Sequence, residues 1–382
     1  MVVTDPLSDL SLDELRTRTS VKWRLHDPDV LPVWVAEMDA PLATAVVEAL
    51  RDVGARGDTG YAYGPHYAQA LAAFAAQRWD WDLPVEATAL MPDVMRGCVE
   101  MLRLVTDPGD AVVVNPPVYP PFYGFIEHAG RRVVTAPLGG DGRIDLDVLA
   151  AAFETARAGD RPAAYLLCSP HNPTGTVHTR DELTAVAALA GEHGVRVVVD
   201  EIHAPLVLPG ARFVPFLTVP GSERSFVLQS ASKGWNLAGL KAAVAITGPE
   251  AAADLGRVPE VVTHGASHVG VQTHIAALRD GGAWLDAVRE GIARNMLVLQ
   301  EALTEALPEI RYQPGEGTYL AWLDCRELDL GDDPAAVFLE RGRVALTGGL
   351  EFGPGGAGHA RFNLATSPEL IREAVRRMAA AV

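Results

Sequence analysis

The 382-residue chain holds three cysteines, Cys98, Cys168 and Cys325, far apart and in no zinc-type spacing. It therefore offers neither a disulfide framework nor a cysteine metal centre, and so sparse a use of thiols suits a reducing cytoplasm. Positive charge is short as well. Lys and Arg number 32 against 49 Asp and Glu, a net charge of −17, with no basic cluster able to neutralise a phosphate backbone. This argues against a nucleic-acid surface. No apolar run is long enough to cross a bilayer, because charges interrupt the Ala-rich windows. From Met1 to Leu10 no basic patch precedes an apolar run, so no secretory leader is expected. Asp200, Glu201 and His203 stand close together, but no further ligand cluster accompanies them, and no metal is expected. Internal repeats are also absent.

What is present describes an ordinary globular protein: 48 % hydrophobic and 21 % charged residues, with length enough for two domains. The first forty residues carry Val21-Lys22-Trp23-Arg24 and the segment Leu31 to Asp39, both read as extended arm rather than helix. Ala43 to Arg56 has helical periodicity and ends at Gly57. A tyrosine-bearing loop, Gly60 to Pro65, precedes a helix from His66 to about Arg78. Beyond Pro92 the pattern alternates. Helices over 94–105, 121–128, 146–158 and 180–192 separate apolar strands over 111–114, 132–135, 163–167 and 195–199. Such alternation predicts an α/β fold with a mostly parallel sheet covered by helices on both faces. After Ile246 the sheet pattern fades into a long helical region, 269–307, broken near Gly281-Gly282. Strands over 318–323, 344–346 and 360–364 then predict a smaller C-terminal α/β domain completed by the N-terminal arm. The expected divisions are 1–44, 45–275 and 276–382. Gly353 to Gly358 has the composition of a phosphate loop but no helix after it, and is read as a mobile loop.

The chemistry gathers around Ser230-Ala231-Ser232-Lys233-Gly234-Trp235-Asn236. Upstream stand Ser169-Pro170-His171-Asn172-Pro173 and Asp200-Glu201-Ile202-His203. Asn172, Asp200 and Ser230 each follow a predicted strand, which places all three at the carboxyl edge of the sheet, where ligands bind in such folds. An amide, then a carboxylate, then a lysine among serines is the order a pyridoxal-phosphate site needs. The amide reaches the ring oxygen, the carboxylate holds the pyridine nitrogen protonated, and the lysine forms the Schiff base. Taken singly each residue has a plainer reading: Lys233 a solvated charge, Asp200 a helix cap, Tyr119 a core aromatic, Arg361 a surface ion pair, His203 a packed histidine.

The ordered set resembles the fold-type I pyridoxal-phosphate enzymes of the aminotransferase class I/II group. Within it the chain is most similar to the MalY/PatB branch of cystathionine β-lyases and related carbon–sulfur lyases. The resemblance runs from about Val21 to the C-terminus and is carried by Lys22-Trp23, Trp34 to Asp39, Pro117 to Phe122, Cys168 to Pro173, Asp200 to His203, Gly317 to Asp324 and Arg361 to Ala365. It implies a large domain with a seven-stranded type of sheet. It makes Lys233 the Schiff-base lysine and later the base at Cα, Asp200 the partner of the ring nitrogen, and Asn172 and His203 the partners of the ring oxygen. Tyr119 would stack on the ring and also meet substrate. Ser230, Ser232, Lys241 and the N–H groups of Val94 and Met95 would hold the phosphate. Tyr61 would reach the phosphate of a neighbouring subunit, which implies a homodimer. Arg361 would clamp the substrate carboxylate, with Ala36 beside it.

Five positions depart from that family pattern. Asp93 stands where relatives carry glycine, at the loop opening the phosphate-binding helix, so its side chain must turn away from the anion or serve another contact. Gly234-Trp235 replaces a Thr-Phe pair, Ala62 a threonine and Glu37 an aspartate, which puts the substrate pocket in doubt. β-Elimination from an S-substituted L-cysteine such as cystathionine is the expected reaction. An aminotransferase, or a specialised lyase acting on another cysteine conjugate, remains the alternative.

Overall fold

The structure, a computed structural model, describes residues 5–382; the expectation about a leader at Met1 to Leu10 falls partly outside them. Seven strands form the central sheet, in the order Thr88–Met91, Ala243–Thr247, Phe226–Gln229, Arg196–Asp200, Ala163–Cys168, Ala111–Val114, Arg132–Thr135. All run one way except Ala243–Thr247, which is antiparallel to both neighbours. Side chains alternate between two apolar layers. Val113, Tyr165, Leu167, Val197 and Val199 face one, and Val112, Val114, Leu166, Val198 and Leu228 the other. Burial on both faces is why these strands read as unbroken apolar runs instead of alternating ones.

Helix Val94–Val105 covers the second layer. It lies so close to the sheet that a Cβ on Gly97 would come within 2.5 Å of the Leu228 side chain, so glycine suits this close packing of helix on sheet. Strand Thr88–Met91 had no counterpart in the sequence reading. It is an edge strand of four residues, three of them only partly buried, and so carries no continuous apolar run.

Beyond the sheet, helices His268–Asp280 and Gly282–Ala306 meet at Gly281, where the sequence placed the break. A second sheet of four antiparallel strands follows, in the order Thr347–Gly348, His359–Asn363, Leu320–Asp324, Arg311–Tyr312. Leu31–Pro32 pairs in parallel with Val344–Ala345, tying the N-terminal segment to this part of the chain. Gly353 to Gly358 forms the turn before strand His359–Asn363.

One expected element differs. Val21–Arg24 is a turn of helix, not an extended arm. The indole Nε1 of Trp23 donates to Asp39 at 3.1 Å, and Lys22 Nζ meets the same carboxylate at 2.8 Å. Two consecutive side chains reaching one partner is a geometry that a strand, with its alternate faces, does not provide.

Candidate active site

Three strand ends and one helix start converge on a cavity of about 300 Å³ at the carboxyl edge of the sheet. Asn172 follows Ala163–Cys168, Asp200 ends its strand, and the loop after Phe226–Gln229 carries Ser232 and Lys233. Lys241 arrives at the same edge because it precedes the antiparallel strand Ala243–Thr247. The N-terminus of helix Val94–Val105 supplies Val94 and Met95, while Tyr119, His203, Ala36 and Arg361 complete the wall.

The charged groups are held in place by the main chain. Lys233 Nζ donates to the carbonyl of Ala36 at 2.9 Å. Burial pulls its pKa down to about 8, assisted by the positive charge of Arg361 and opposed by Asp200. Asp200 Oδ1 accepts from the N–H of Ile202 at 3.0 Å. Burial pushes this carboxyl up to about 6, against the pull of the Ile202 N–H and of Lys233. Arg361 donates to Asn172 Oδ1 at 3.0 Å, to the carbonyl of Trp34 at 3.1 Å and to Thr347 Oγ1 at 3.2 Å, and its plane lies 5.1 Å from the Phe352 ring. Burial lowers its pKa to about 10, still a cation at neutral pH. His203 is kept neutral, its pKa depressed by burial, Lys233 and Arg361. Tyr119 stands edge-on to Phe122, and burial raises its phenol to about 12, leaving it protonated.

A cation, a carboxyl and an arginine fork in a site with few free protein partners leave some polar atoms unspent. Nδ1 of His203 and Nε of Arg361 are buried without a hydrogen-bond partner among the described residues. Orphaned groups of this kind are costly unless a ligand meets them. A polar, planar cofactor fits that donor set: Asp200 is available for a ring nitrogen, Asn172 and His203 for a ring oxygen, Lys233 for a carbonyl, and the helix start with Ser232 and Lys241 for an anion. Among the described residues no group of three or more His, Cys, Asp or Glu side chains is placed to hold a metal ion. Glu201 is used elsewhere, accepting from Phe216 N at 2.8 Å and Gln229 Nε2 at 2.7 Å.

Not every residue singled out in the sequence faces the cavity. The Ser230 hydroxyl turns inward, donating to the carbonyl of Ala242 at 2.7 Å and accepting from Ser232 N at 3.1 Å, so it shapes the loop behind the wall. Tyr61 is 86 % exposed, bridged to Ser267, and does not line the chain's own cavity. Trp235, whose change put the pocket in doubt, is a fully buried core residue. Its Nε1 donates to Gly281 at 3.0 Å, and Phe74 packs against it. Asp93 does find another contact. One oxygen accepts from Arg96 N at 2.8 Å, capping its helix, and the other pairs with Lys241 at 3.0 Å.

Other residues matter that were given no role. Tyr319 donates to the same Ala36 carbonyl as Lys233, at 3.0 Å, and stands edge-on to His203. Asn236, in the left-handed region at φ 59°, accepts from Met38 N at 2.8 Å and donates to Met38 O at 3.0 Å. Asn363 holds the carbonyls of Val35 and Glu37, both at 2.7 Å. Tyr319 and Asn363 lie inside segments that carried the resemblance; Phe125, also in the wall, had no such signal.

A lysine, a buried carboxyl and an arginine fork at the carboxyl edge of a mostly parallel seven-stranded sheet define a cofactor-dependent enzyme of amino acids. The comparisons agree: residues 30–378 match the model of the family aminotransferase class I and II, and the chain belongs to that family. A protein of Mycobacterium leprae, assigned provisionally to the cystathionine beta-lyases, is 55 % identical over 100 % of this chain and 99 % of its own length. The cystathionine beta-lyase PatB of Bacillus subtilis is 33 % identical over 95 % of this chain and 96 % of its own. Among solved structures, a provisionally assigned PLP-dependent beta-cystathionase of Corynebacterium diphtheriae superposes with a TM-score of 0.91 at 34 % identity, covering 98 % of each chain.

Proposed function

We propose that the protein is a pyridoxal-phosphate-dependent carbon–sulfur β-lyase that converts an S-substituted L-cysteine, such as cystathionine, to a thiol, pyruvate and ammonia. The observation that carries this reading is the meeting of Lys233, Asp200 and Arg361 in one cavity, in a chain whose similar proteins bear the names of cystathionine β-lyases. The cofactor, when bound, supplies an electron sink for the charge that develops at the substrate's Cα.

The chain's own residues do the rest. Arg361 offers its fork to the α-carboxylate and fixes the orientation of the Cα–H bond. Lys233, with a pKa near 8, is poised to take the Cα proton near neutral pH. Asp200 would hold the cofactor's ring nitrogen, its carboxylate favouring the protonated ring that makes the sink effective. Tyr119, Phe125 and Ile202 give the cavity apolar walls that limit water around the reacting carbon.

In the same reading Tyr61 serves a second copy of the chain. Its loop exposes two large aromatics, Tyr61 at 86 % and Tyr63 at 93 %, a surface suited to cover in a homodimer. The three cysteines are all free and buried, and among the described residues no helix is long and apolar enough to cross a membrane. Both features support a cytoplasmic enzyme. The divisions 1–44, 45–275 and 276–382 are proposed as arm, cofactor domain and small domain.

Purified protein loaded with pyridoxal phosphate and given L-cystathionine without a keto acid tests the reading. Pyruvate released over many turnovers is the expected result, abolished in Lys233→Ala. Conversion that requires a keto-acid acceptor and yields no pyruvate would refute it in favour of transamination.

A further inference from the structure

We propose that Asp93 is a built-in competitor for Lys241 that loosens the protein's hold on the cofactor's phosphate, making the cofactor exchangeable. The inference rests on the cofactor reading above and extends it to a residue that reading does not use.

The cations in the cavity wall are Lys233, Lys241 and Arg361. Lys233 is tied to the Ala36 carbonyl and Arg361 to Asn172, Trp34 and Thr347. With Lys233 given to the cofactor's carbonyl and Arg361 to the substrate carboxylate in the reading above, Lys241 is, among the described residues of the wall, the cation left for a phosphate, and it lies beside the start of the twelve-residue helix Val94–Val105. N–H groups at a helix start, the Ser232 hydroxyl and an ammonium together suit a dianion. Asp93 intrudes on that chemistry in two ways. Its Oδ2 already neutralises Lys241 at 3.0 Å, so an arriving phosphate must share or displace it. Its negative charge, in the same wall as Val94, also acts directly against the dianion.

The pair is partly solvated, with side-chain exposures of 58 % for Lys241 and 33 % for Asp93. Solvent screening therefore keeps the effect modest, roughly fivefold to tenfold in affinity. The other carboxylate oxygen caps the helix through Arg96 N. Removing the whole side chain would weaken the helix, whereas asparagine caps as well as aspartate and carries no charge.

Apo protein and its Asp93→Asn variant are titrated with pyridoxal phosphate, and separately with pyridoxal, which lacks the phosphate; binding is read from visible absorbance. A second variant, Asp93→Ser, repeats the test with a different capping group. The expected result is a dissociation constant for pyridoxal phosphate lowered roughly fivefold to tenfold in both variants, with pyridoxal unchanged. The inhibition constant of inorganic phosphate against pyridoxal phosphate should fall by a similar factor in the variants. An unchanged or raised constant for pyridoxal phosphate overturns the proposal. Equal shifts for both ligands overturn it too, since they would place the effect in folding rather than in charge. Failure of wild type and variants alike to bind pyridoxal phosphate would overturn the cofactor reading itself, and this inference with it.

Discussion

Replacing Lys22 by methionine should cost the protein about 3–5 kcal/mol of stability, through the carboxylate it leaves behind. Lys22 and Asp39 form a 2.8 Å ion pair with side-chain exposures of 0 % and 2 %. Lys22 also donates to the carbonyl of Glu37 at 3.0 Å. Methionine keeps the length and apolar stem of lysine but removes the charge. Asp39 then retains the Trp23 indole at 3.1 Å as its side-chain donor, too little for a carboxylate shut away from water. Urea denaturation reads the effect as a lower midpoint with an unchanged slope. The double variant Lys22→Met/Asp39→Leu separates the cause. If the orphaned charge carries the cost, removing Asp39 as well should recover most of it, because an apolar pair of similar volume replaces a buried ion pair nearly neutrally. A Lys22→Met loss below about 1 kcal/mol, or a double variant no better than the single, would refute the argument. The pair also anchors residues 34–39, so the single variant should raise KM for the amino-acid substrate and speed amide exchange across that segment.

Arg361→Lys keeps the charge but loses the planar fork, and kcat/KM for an S-substituted cysteine should fall about 100-fold, or about 2.7 kcal/mol, in steady-state assays of pyruvate release. Cofactor uptake by the apo protein needs the neutral amine of Lys233. Its rate should therefore rise with pH and level off above about 8, the value set by burial and Arg361; stopped-flow absorbance with an inflection near 10.5, the ordinary lysine value, would count against that environment. Burial raises Glu201 from 4.5 to about 8, against the bonds it accepts from Phe216 and Gln229. The folded state therefore binds more protons than the unfolded one between those values, and this contribution to stability is full below 4.5 and lost as pH rises through 8. Glu201→Gln should remove that downward slope from the stability–pH curve measured by urea titration.

The sheet was legible because its strands are buried on both faces. Unbroken runs such as Ala111–Val114 and Ala163–Cys168 admit few other readings at that length. The positions of Asn172, Asp200 and Lys233 were legible for the same reason, since a polar residue just past an apolar run lands at the sheet's carboxyl edge. Which way a loop side chain turns there was not legible. Ser230 and Ser232 are two residues apart, yet one seals the loop from behind and the other lines the cavity. Trp235 departs from the family pattern two residues after Lys233, yet the tight loop there points it into the core beside Phe74. The contacts of Tyr319 and Asn236 were not legible for a different reason. Their partners, Ala36 and Met38, lie 283 and 198 positions away, and no local pattern encodes such a pairing.

Those distant pairings explain how the site keeps its geometry without a rigid element on one side. Residues 34–38 form no regular strand or helix, yet five successive carbonyls all have donors. Trp34 accepts from Thr347 and Arg361, Val35 from Asn363, and Ala36 from Lys233 and Tyr319. Glu37 accepts from Lys22 and Asn363, and Met38 from Arg18 and Asn236. Where they are shut away from water, such carbonyls left unsatisfied would cost about 1–3 kcal/mol each. The donors come from both sheets' surroundings: Thr347, Tyr319, Arg361 and Asn363 from the four-stranded side, Lys233 and Asn236 from the loop after the central sheet. The segment is thus fixed only when both parts of the chain are folded and in register. The same carbonyls that settle it also hold the two cations, Lys233 and Arg361, on which the proposed chemistry depends.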